Sequence, residues 1–112
     1  MHVTAREEDG ILVVSVNEDR IDAAAAIQFK DAMREVTANG TGRVVLDLAQ
    51  VVFIDSSGLG AIVAVMKELG DDRRLELAAM QTNVDRVFRL TRMDSVFPVH
   101  AGVDDALRTH AG

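Results

Sequence analysis

The chain of 112 residues contains no cysteine, which excludes disulfides, thiolate metal sites and cysteine nucleophiles. Proline occurs once, at Pro98, and no Ser-, Gly- or Gln-rich tract marks a linker. Histidine is nearly as scarce. His2, His100 and His110 stand far apart, with no spacing that suits a metal site, so we expect surface or terminal roles for them and neither a metal nor another cofactor. Cations are in deficit: 12 Lys and Arg against 18 Asp and Glu leave a net charge of −6. A protein that grips a phosphate backbone needs a basic face, and Arg73–Arg74 follows directly on Asp71–Asp72, so nucleic acid is not an expected partner. Long apolar runs are missing too. The stretch from Leu59 to Leu69 is too short and interrupted to span a bilayer, and the charged start "MHVTAREEDG" is not a signal peptide. These features point to a cytoplasmic protein without membrane insertion.

What is present suits one globular domain over residues 1–112, with 48% hydrophobic and 27% charged residues and no internal repeat. "ILVVSV" (Ile11 to Val16) predicts a strand, paired with "HVTARE" across the Asp9–Gly10 turn as an edge hairpin. The period then changes. Ala26, Phe29, Met33 and Val36 recur at helical spacing, with Asp22 as the expected N-cap and Asn39–Gly40 as the stop. "RVVLDL" (Arg43 to Leu48) has the consecutive apolar residues of a strand buried on both faces. After the Val51–Ile54 run a second helix carries Leu59, Ile62, Val63, Met66 and Leu69 on one stripe, and Gly70 ends it. Arg74 to Ala79 predicts a further strand. Val84, Val87 and Phe88 define a third helix with Asn83 as its cap. Ser95 to Val99 reads as a short edge strand because of Pro98, and a last short helix follows Gly102. The order is ββαβαβαβα, an α/β fold with a mixed, mostly parallel sheet packed against helices.

In this frame Asp55-Ser56-Ser57-Gly58 falls between a strand and a helix, at the carboxyl end of an expected inner strand, where functional loops of α/β sheets gather. Capping alone accounts for an acid and hydroxyls there, since the first helical N–H groups need acceptors. The same place suits a switch. A phosphoserine brings about −1.5 to −2 charges at pH 7, and a helix N-terminus accommodates them through its free donors and macrodipole. A third reading makes Ser56 or Ser57 a nucleophile, but no Gly-x-Ser-x-Gly elbow is present and no histidine is well placed as a base. A phosphate-loop motif for nucleotides is also missing.

The block "RVVLDLAQVVFIDSSGLGAIVAVMKEL", with "RIDAAAAIQFKDAM" before it and "LAAMQTNVDRVFRLTRMDSVFPVHAGVDDAL" after it, resembles the STAS domain of the anti-sigma factor antagonist (anti-anti-sigma) family over nearly the whole chain. The resemblance implies a non-enzymatic bacterial regulator of transcription that works by partner switching. Unphosphorylated, such a protein binds an anti-sigma factor that is also a serine kinase. Phosphorylation releases it, and a serine phosphatase resets the cycle. The family's phosphorylated serine falls on Ser56. Asp22, Asp55, Ser57 and Gly58 match positions at the partner surface, with Gly58 expected to admit a partner backbone. Asp19 and Arg92 stand where the family usually has glycine. Nothing demands more than a monomer or weak dimer. The alternative within the fold is a cytoplasmic STAS subunit of a lipid-transport ABC complex or of a stress-signalling scaffold.

Overall fold

The computed structural model describes residues 1–109. The Asp9–Gly10 turn has positive φ at both residues, 53° and 79°, the geometry that matches the twist of a two-residue hairpin. It joins β1 (Val3–Glu8) antiparallel to β2 (Ile11–Val16). From β2 onward pairing in the main sheet is parallel, through β4 (Val44–Asp47) and β6 (Leu75–Ala78) to β7 (Val99–His100). The strand order is β1-β2-β4-β6-β7, the mixed, mostly parallel sheet expected from the sequence.

Consecutive apolar residues in the inner strands are explained by two covered faces. On one, Val14, Val44, Leu46, Leu75 and Leu77 meet α1 (Ala26–Val36), α2 (Ser56–Leu69) and α3 (Thr82–Leu90) through Phe29, Met33, Ile62, Val65, Val84 and Phe88. Phe88 and Phe97 close this layer edge to face, with ring centroids 6.0 Å apart. On the other, Ile11, Val13, Val45 and Ala78 lie under Ala106, Val103 and Leu107 of α4 (Val103–Arg108). Because the side-chain period of a strand is two, Val44 and Val45 serve different faces, and both are fully buried.

Several local expectations are corrected. The chain turns at Leu48–Val51, where the Val51 N–H donates to the Leu48 carbonyl at 3.0 Å. The Val51–Ile54 run therefore does not extend an inner strand. Its end, β5 (Phe53–Ile54), pairs in parallel with β3 (Arg20–Ile21) in a separate two-stranded sheet. Helix α1 starts at Ala26, three residues later than an Asp22 cap implies. Asp22 instead closes a turn just before the helix, its Oδ1 accepting from the Ala25 N–H at 3.2 Å. Asn83 lies inside α3, and Gln81 holds the cap position. Ser95 belongs to a 3₁₀ turn, Met93–Ser95, and only Val99–His100 forms the edge strand.

The two replaced glycines differ in consequence. Asp19 has no positive φ, so its backbone has no need of glycine. Arg92 has φ 60° just past the end of α3, the left-handed position where glycine is favoured.

Candidate functional site

The small β3–β5 sheet delivers two loops to one place. Asp55 follows β5 directly and caps α2: its Oδ1 accepts from the Gly58 N–H at 2.9 Å, and its Oδ2 accepts from the Ala23 N–H at 3.0 Å. Both carboxylate oxygens are thus committed to backbone donors, one on each side of the site. The Gly58 hydrogen bond, and after it that from Ala23, holds the Asp55 carboxyl below its ordinary range against the opposing effect of partial desolvation. Asp55 acts first as the clamp between the β3–α1 loop and α2.

Gly58 is buried, and the reason for glycine lies inside the chain. A Cβ there would stand 1.9 Å from the Ile21 carbonyl oxygen. The close approach expected of a partner backbone is made by β3 itself. The glycine lets the first turn of α2 sit on that strand, a contact no other residue type permits.

Ser56 and Ser57 begin α2 and are both exposed. Among the described residues neither hydroxyl takes part in a hydrogen bond with another side chain. The fold leaves both hydroxyls to solvent while Asp55 does the capping. The structure brings Asp22, Asp55, Ser56, Ser57 and Gly58 into this one corner. Asp22 is linked to it through the Ala23 N–H bond to Asp55 and through an ion pair with Arg20 at 3.4 Å.

Sequence reasoning passed over two features. Phe53 alternates with buried Ile54 and so points outward, 41% exposed, with the Arg20 guanidinium 4.7 Å from its ring centroid. Strand alternation in "VVFID" was the available signal. The second feature lies on the α4 face. Glu76, 2% exposed, accepts from Arg43 Nε and Nη2, the latter at 2.7 Å, and lies 2.7 Å from His100 Nε2. Arg43 also donates to the Ala106 and Thr109 carbonyls at 2.8 and 2.7 Å, tying down the end of α4. Burial alone would raise the Glu76 carboxyl, but the hydrogen bonds from Arg43 and His100 outweigh it and hold it below its ordinary value. His100 is therefore no surface residue: its side chain is 12% exposed. His2 is exposed as expected, and His110 lies outside the described residues. Among the described residues no group of three or more His, Cys, Asp or Glu is placed to hold a metal ion, and no helix is long and apolar enough to cross a membrane.

Comparison with known proteins follows the same lines. The STAS domain profile matches residues 2–106. The anti-sigma-F factor antagonist RsfB of Mycobacterium tuberculosis is 29% identical over 105 residues, covering 94% of this chain and 85% of that one. The crystal structure of an anti-sigma factor antagonist from Mycobacterium paratuberculosis superposes with a TM-score of 0.84 at 32% identity, covering 95% and 90% of the two chains. At 18% identity the fold alone is shared with Bacillus SpoIIAA. Its unphosphorylated form matches with a TM-score of 0.72, covering 95% and 93% of the chains, and its phosphorylated form with 0.65, covering 95% and 96%. The chain belongs to the STAS domain family and, within it, to the anti-sigma factor antagonists.

Proposed function

We propose that this protein is an anti-sigma factor antagonist switched by phosphorylation of Ser56. Unphosphorylated, it binds an anti-sigma factor with serine kinase activity and so frees a sigma factor for transcription. The kinase phosphorylates Ser56 and the complex separates. A serine phosphatase restores the binding form. The protein acts by binding, in the cytoplasm, and catalyses nothing itself.

One observation carries the reading. Asp55 alone satisfies the Gly58 amide at the start of α2 and the Ala23 amide across the site, leaving the Ser56 hydroxyl exposed and uncommitted. A kinase can reach it, and a phosphate added there meets the positive end of a 14-residue helix rather than a buried core. The modification changes the surface without unfolding the protein. The names of the relatives favour an antagonist over a transport subunit or scaffold.

The test is intact-mass analysis after incubation with ATP and a lysate of the source organism. The wild type and Ser57→Ala are expected to gain one phosphate and Ser56→Ala none. Phosphate retained in Ser56→Ala, or absent from every form in an active lysate, overturns the proposal.

A further inference from the structure

The chain has four phenylalanines and no tyrosine or tryptophan. Phe29, Phe88 and Phe97 lie in the core at 2% exposure or less, while Phe53, three residues before Ser56, is open to solvent. Val52 beside it is 43% exposed. Burying an aromatic ring contributes more than burying almost any other side chain, yet here the fold leaves one outside. Arg20 stands opposite Phe53 in the β3–β5 register and lies over its ring. The Asp19 carbonyl accepts from the Val52 and Phe53 N–H groups at 2.8 and 3.2 Å, which ties the two segments together.

Charge at this corner is uneven in a useful way. Residues 19–25 and 51–60 contain the acids Asp19, Asp22 and Asp55 and a single cation, Arg20. Both oxygens of Asp55 are taken by amides, and those of Asp22 by Ala25 and Arg20. A guanidinium has five N–H donors. Among the described residues the one charged contact of Arg20 is through Nε to Asp22 at 3.4 Å, and its side chain is 57% exposed, so donors remain for a further acceptor. A stacked, pre-oriented arginine beside an exposed ring is the composition of an interface hot spot. It is also well suited to a planar carboxylate.

From this we infer that Phe53, Val52 and Arg20 form the specificity patch for the partner, a protein surface that lays an apolar side chain on Phe53–Val52 and a carboxylate against Arg20. The inference rests on the phosphorylation-switched binding proposed above, and it gives that switch its sign. On an acidic protein, added negative charge would strengthen attachment to a basic partner. A partner that is itself acidic beside Ser56 is repelled by the phosphate.

The test is calorimetric titration of the purified serine-kinase anti-sigma factors of the source organism into wild type, Phe53→Ala, Arg20→Ala and Arg20→Glu, at low and high salt, with melting temperatures alongside. Phe53→Ala should weaken binding about 30-fold and Arg20→Ala about 10-fold, with melting temperatures unchanged. Arg20→Ala should also flatten the salt dependence, which Phe53→Ala leaves intact, and Arg20→Glu should weaken binding more than Arg20→Ala. Wild-type binding with all three variants within about twofold overturns the patch and leaves the antagonist reading standing. Tighter binding by Arg20→Glu overturns the carboxylate. No binding of wild type to any of these proteins overturns both.

Discussion

Asp55 and Glu76 are both carboxylates held below their ordinary range by hydrogen bonds, and each sits in the arrangement that fixes a helix end. Their surroundings differ. Glu76 is enclosed, Arg43 and His100 occupy its oxygens, and Arg43 spends further donors on the carbonyls that end α4. Asp55 accepts from the Ala23 and Gly58 amides, and among the described residues Ser56 and Ser57 are exposed with no side-chain partner. The saturated cluster holds the sheet and its last helix together. The clamp at Asp55 holds a surface on which both serines stay exposed. A buried polar group must find partners inside the protein, whereas an exposed hydroxyl is satisfied by water and stays available for chemistry.

Glu76→Gln should produce the largest difference between the two regions. It leaves the Arg43 charge without its counterion on the buried side, at a cost of about 3 kcal/mol, read as a lower urea midpoint with Ser56 phosphorylation intact once folded. The same variant should blunt acid unfolding. Because the Glu76 carboxyl is lowered in the folded state, its contribution is complete above pH 4.5, its ordinary value, and is lost as pH falls below it. An unchanged acid transition in the variant would mean that the cluster adds little to stability.

Gly58→Ala strikes the other region through its scaffold. The new Cβ meets the Ile21 carbonyl and must push α2 off β3, costing about 2 kcal/mol. Partner binding and Ser56 phosphorylation should fall with it, because the Asp55 cap depends on that contact. Arg92→Gly, outside both regions, should raise stability by up to about 1 kcal/mol by relieving a left-handed non-glycine residue, without altering binding. Ser56→Asp should have the smallest effect on stability, within about 0.5 kcal/mol, while abolishing partner binding. A large loss of stability there would show that Ser56 is structural after all and would erase the contrast with Glu76.

Periodicity and turn chemistry made most of the fold legible. The hairpin at Asp9–Gly10, the stripe of α2 and the doubly buried β4 follow from residues close in the chain. The position of Ser56 at the start of a helix was legible too, from the strand-to-helix junction in the sequence. The β3–β5 pair was not, because two-residue strands carry no period and depend on pairing across some thirty positions. Glu76 stood in plain view as an acid in the middle of an apolar strand, but its partners are distant in sequence, Arg43 just before β4 and His100 in β7.

Local composition therefore determined most of the strands and helices, where the serines sit and how acidic the protein is. The tertiary structure alone decided what those residues face. It turned Phe53 outward and put Arg20 over it, filled Gly58 with the chain's own Ile21, and enclosed His100 beside Glu76. Local preferences act over one or two turns of chain, whereas burial and charge pairing are set by residues that meet only after the chain has packed.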